Sequence, residues 1–140
     1  MASLNNYADG ALTTLKPDPI PLQQDVPGTW APAQTQGFIG SNDAGAVFED
    51  KLNPGVDPIL LGVIDTGTGG SQPASSVKLA GTQAGLATAT PGAPLSLGTS
   101  IAAGPAGAKE WWAEWDDASG TLGTATNLRI GILSPLKVTL

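Results

Sequence analysis

Three of the four tryptophans of this chain fall within five residues, in Lys109-Glu-Trp-Trp-Ala-Glu-Trp-Asp-Asp117. Few structures accommodate that spacing in a segment with charges between the rings. In an extended strand, side chains alternate between two faces. Trp111, Ala113 and Trp115 then share one face, and Glu110, Trp112, Glu114 and Asp116 share the other. The pattern predicts a half-buried strand with one aromatic on its polar side. A second alternating run, Leu128-Arg-Ile-Gly-Ile132, follows a Gly/Thr/Ser-rich link, and the two read as the closing hairpin of a small β-structure.

Composition supports an all-β protein. Glycine (19) and proline (12) are abundant among 140 residues, and only 13% are charged. Such a chain has little helix propensity, yet at 41% hydrophobic it is too apolar to stay unfolded through charge. Its length fits one domain, or one domain with an arm. Further candidate strands lie at Val47–Glu49, Pro58–Asp65, Ser75–Ala80, Leu86–Thr90 and Pro94–Gly98, with turns at Thr66–Gly70 and Gly104–Gly107, and the tail from Leu133 continues the last strand past Pro135. Short strands separated by turn residues favour a sandwich.

Residues 1–43 read differently from residues 44–140. Pro17, Pro19, Pro21, Pro27 and Pro32 fall close together. Each removes a backbone donor and pushes its predecessor toward extended geometry. Leu12, Leu15, Ile20, Leu22, Val26, Trp30 and Phe38 supply apolar anchors that a mere linker would not need. The segment is expected to be an extended, irregular arm that docks on neighbouring subunits or wraps over its own domain.

Several function classes are poorly served by these residues. The chain has no histidine and no cysteine. It therefore lacks the usual general base, the usual zinc ligands and any disulfide framework. The carboxylate pairs Glu49-Asp50 and Asp116-Asp117 are sequence neighbours, so in a strand each pair points to opposite faces. Neither makes an acid–base pair alone. Asn42-Asp43 and Asp116-Asp117 are too sparse for a calcium loop, and Gly67-Thr-Gly-Gly70 lacks the lysine of a phosphate loop. The expectation is no catalytic residues, no metal and no cofactor. A net charge of −6 with scattered lysines argues against nucleic acid. The first ten residues lack the basic and apolar regions of a secretory leader, and no apolar run is long enough for a membrane span. Trp112 remains open between an interface anchor and a residue packed beneath the arm.

Ser76-Val-Lys-Leu79, Leu95-Ser-Leu-Gly-Thr-Ser-Ile-Ala-Ala-Gly104, Gly107-Ala-Lys-Glu-Trp-Trp-Ala-Glu-Trp-Asp-Asp117 and Gly123-Thr-Ala-Thr-Asn-Leu-Arg-Ile-Gly-Ile132 together resemble the small immunoglobulin-like β-sandwiches of tailed-bacteriophage virion proteins. The resemblance covers roughly residues 44–140. It implies an antiparallel sandwich preceded by the Pro-rich arm, in a non-enzymatic component of the tail, baseplate or fibre-attachment region. The expected partners are other virion proteins and copies of the chain itself in a symmetric particle, with no small-molecule substrate. A capsid decoration protein is the alternative within that class. From a different class comes a carbohydrate-binding module, with Trp112 and Trp30 stacking on sugar and Asp116 or Asp117 binding hydroxyls.

Overall fold

The computed structural model describes residues 2–16, 22–26, 29–31, 34–65, 77–115, 123–125 and 128–140; for 22–26, 29–31, 65, 115 and 123–125 only the backbone is described. Its strands are β1 (Asn5–Tyr7), β2 (Leu22–Val26), β3 (Thr29–Ala31), β4 (Gln34–Gly40), β5 (Val47–Asp50), β6 (Leu60–Asp65), β7 (Val77–Ala80), β8 (Leu95–Ser96), β9 (Ser100–Ala102), β10 (Lys109–Trp115), β11 (Gly123–Ala125), β12 (Leu128–Ile132) and β13 (Leu136–Thr139). The helical elements among the described residues are the short 3₁₀ turns Ala84–Thr88 and Pro105–Gly107. The protein is all-β and antiparallel, as composition predicts.

The strand orders are β1-β4-β10-β7, β12-β6-β8, β13-β5-β9 and β11-β2-β3. The first three sheets enclose one core. Ile39, Trp111, Ala113, Val77 and Leu79 come from the first, Leu61, Leu128 and Ile130 from the second, and Phe48 and Ile101 from the third. Of the inward set expected for β10, Trp111 and Ala113 are fully buried, and the Trp115 side chain lies outside the described residues.

The tryptophan strand is central in its sheet because it meets a partner on each side. Trp111 lies opposite Gly37 in β4, and Trp112 lies opposite Gln36 in β4 and Ala80 in β7. Glycine at 37 is a packing requirement. A Cβ there would stand 2.5 Å from Trp111 Cε2 and 2.7 Å from Nε1. The indole extends over β4 toward β1, where its N–H donates to Asn6 Oδ1 at 3.0 Å. Beyond β1, Lys16 Nζ lies 5.8 Å from the ring centroid, within cation–π range. Burial holds the Lys16 pKa below the ordinary lysine value.

Four expectations change here. The tryptophan strand and the 128–132 strand do not form a hairpin, because β10 has both edges occupied by β4 and β7 while β12 pairs with β6. The tail does not prolong β12: past Pro135 it becomes β13 and joins β5 in another sheet. Leu86–Thr90 is a 3₁₀ turn in its first part, with Leu86 buried. Part of the expected irregular arm also joins the body. Within residues 1–43, β1 and β4 are strands of the central sheet, and β2 pairs with β3 and β11. A truncation at 43 would strip β10 of one neighbour.

Two carboxylates fix the segments beside β1. Asp9 accepts from the Thr13 hydroxyl and from the backbone N–H groups of Thr13 and Thr14, each at 3.0 Å. It thereby stabilises a turn that holds Leu12 at φ +59°, unusual for a residue with a side chain. Asp43 accepts from Ser3 N–H at 2.8 Å and Ser41 Oγ–H at 3.0 Å. These bonds lower both pKa values, led by the Thr13 hydroxyl for Asp9 and by the Ser3 amide for Asp43.

Two predictions follow from this geometry. Gly37→Ala should destabilise the protein by about 1–3 kcal/mol in denaturant melts, as overpacking does. The same change should cost far less in a Trp111→Ala background, because the colliding group is gone. The depressed pKa values of Asp9 and Asp43 add stability above the ordinary carboxylate range, and protonation removes it as pH falls through the folded-state values. Asp9→Asn/Asp43→Asn should flatten that acid limb in melts at stepped pH.

Candidate functional site

The outer face of the central sheet carries the residues that sequence alternation places opposite the core. On β4 these are Gln34, Gln36, Phe38 and Gly40; on β10, Glu110, Trp112 and Glu114. One end is closed by the loop after β1. Leu12 is only 2% exposed and sits where a side chain at Gly40 would otherwise go, 2.9 Å from that Cβ position. Gly10 lies against the Phe38 ring, and Asn42 Nδ2 donates to the Leu12 carbonyl at 2.9 Å. The other end is closed by the 84–88 turn, whose Gly85 rests on Ala80, the β7 partner of Trp112.

Between these covers lies an open panel. Trp112 is half-buried. Its indole N–H donates to Glu110 Oε2 at 3.2 Å, and the same oxygen accepts from Gln36 Nε2. Gln83 Nε2 donates to Gln34 Oε1 at 2.9 Å, and Gln34 Nε2 donates to Glu114 Oε2 at 3.0 Å. The panel is an indole held in one orientation and framed by amides and carboxylates that brace one another. Glu110 and Glu114 lie four residues apart on one strand, about 13 Å at the rise of an extended chain. That backbone spacing exceeds the separation of paired glycosidase carboxylates.

The sequence-predicted residues fall in different places. Trp112 occupies the centre of the panel. Leu12 was expected to anchor on a neighbour, but its own chain covers it, because the Asp9 turn folds it onto Gly40. Phe38 is half-buried beside Gly10, and Leu15 is 64% exposed at the edge of β1. The side chains of Leu22, Val26 and Trp30, and all of Ile20, lie outside the described residues, as do Asp116, Asp117 and residues 67–70. Asp50 caps its own loop, accepting from Leu52 and Asn53 N–H at 2.8 and 3.1 Å, whereas Asn42 and Asp43 tie their turn to the N-terminal segment at Leu12 and Ser3. The panel's glutamines escaped sequence reading. Their signal was the alternation of Gln34-Thr-Gln36 with Phe38, masked by assigning the segment to an irregular arm.

A second concavity of about 260 Å³ opens between β1 and β12, lined by Leu4, Asn6, Ile39, Ile130, Ile132 and Leu136, among others. Asn6 is already engaged with Trp111 there. No family model, curated protein or solved structure matches this chain.

The two adjacent tryptophans should respond differently to truncation. Trp111→Ala should cost about 3–5 kcal/mol, as for other buried aromatics. Trp112→Ala should cost clearly less, because its ring is only half-buried and its partners reach water. Denaturant melts of the two variants measure the difference.

Proposed function

We propose that this chain is a non-enzymatic structural component of a tailed-phage virion, in the tail, baseplate or fibre-attachment region. Its body is the immunoglobulin-like sandwich that the sequence resemblance implies, and the Pro-rich run after Lys16 is its docking arm. The observation that carries this reading is the panel around Trp112. A tryptophan oriented by Glu110, on a strand anchored from behind by Trp111, has the character of an interface hot spot. Three sheets around one core give a stable body for repeated placement in a symmetric particle. The lack of histidine and cysteine removes the commonest catalytic groups from consideration.

The test is particle composition. Mass spectrometry of purified particles from cells encoding the chain should find it in stoichiometric amount, and electron cryomicroscopy should locate it in the tail. Trp112→Ala should remain folded and be depleted from particles. Absence of the wild-type chain from particles would overturn the proposal; density on the capsid exterior would favour decoration instead. The carbohydrate reading draws on the Gln36–Glu110–Trp112 cluster, and titration with soluble glycans followed by tryptophan fluorescence tests it.

A further inference from the structure

β13 is the edge strand of the β13-β5-β9 sheet, and no described strand pairs with its outer side. Its backbone groups are oriented by the ladder with β5. Lys51 N–H donates to the Pro135 carbonyl at 2.8 Å, one step beyond the Asp50↔Leu136 pair. Bonded and non-bonded pairs alternate in an antiparallel ladder. The bonded pairs are therefore Glu49↔Lys137 and Val47↔Thr139, and Leu136 and Val138 turn their N–H and C=O groups to the free side.

The side chains of this edge form an apolar stripe. Val138 stands opposite the buried Phe48, on the core side of the sheet. Leu136 packs against the core, yet Val138 is 37% exposed and Leu140 is 88% exposed. Alternation carries Leu140 to the same side as Val138. Of the devices that usually protect such an edge, Lys137 is present on the outer face, but no proline, bulge or inward charge interrupts 136–140.

We infer that β13 pairs with β13 of a second copy, antiparallel about a two-fold axis at Val138. This does not rest on the virion reading. The self-complementarity of the edge selects the occupant. With Val138 opposite its own copy, the outward N–H and C=O groups of the two valines bond reciprocally. Leu136 meets Leu140 of the other copy, which covers both ends of the stripe. Lys137 falls opposite Thr139 on the other face, so no like charges are opposed. The result is one continuous sheet running β9-β5-β13 and back through the second copy, with the shared patch that a two-fold interface requires.

Sedimentation of the full chain over a concentration series should show a reversible monomer–dimer equilibrium. Val138→Glu places two carboxylates face to face on the axis and should weaken the dimer at least about tenfold, with the β circular-dichroism signal retained. In a chain without cysteine, Val138→Cys should give a disulfide-linked dimer under mild oxidation, whereas Leu15→Cys, exposed on another sheet, should not. A wild-type chain that stays monomeric, one that forms trimers, or a dimer that survives Val138→Glu would overturn the inference. If Val138→Glu fails to fold, the cysteine pair decides, and absence of a Val138→Cys dimer overturns it.

Discussion

The Trp111 indole fills the space over Gly37, and the central sheet depends on that fit. A side chain at 37 would collide with the ring, so the two residues are one packing unit. The ring crosses from β10 over β4 and reaches β1, where Asn6 satisfies its N–H. A buried indole donor without a partner would cost about 1–3 kcal/mol. The same side chain therefore fixes β10 against β4 by shape and against β1 by a hydrogen bond. Lys16 extends the arrangement one strand further through the ring.

That anchor on the inner face accounts for the character of the outer one. A strand held by Trp111 and Ala113 presents Glu110, Trp112 and Glu114 at fixed spacing. The glutamines of β4 and the 84–88 turn then lock those side chains laterally. Asp9 sets the loop that closes the end of the face near β1, and Asp43 holds the segment that leads into β1. An open aromatic panel on such a framework loses little freedom if a partner covers it, and that is the physical support for the proposed role in assembly.

Local alternation made much of this legible. The inward set of β10, the buried Val77 and Leu79, and the strands β5 and β6 follow from period-two patterning. The pairing of strands did not. Nothing local in Trp111–Trp115 or Leu128–Ile132 says that each prefers a distant partner, because pairing is decided by which sheet faces share the core. The proline cluster pulled the reading of residues 1–43 toward an arm, although Gln34–Gly40 alternates and its Gly37 is the complement of Trp111. That complementarity links positions 74 residues apart (111 − 37) and is visible only once the strands lie side by side. Leu12 was misread for a related reason. Its burial depends on the Asp9 turn and on the bare backbone of Gly40.

The central claim is that Trp111 lies across β4 at Gly37 and bonds to Asn6. The most direct measurement is the set of nuclear Overhauser contacts made by the Trp111 indole N–H in solution. The fold described here predicts cross-peaks from that proton and its neighbouring ring protons to the Gly37 α-protons and to Asn6. An indole N–H that contacts neither residue, with its cross-peaks going instead to another strand, would contradict it.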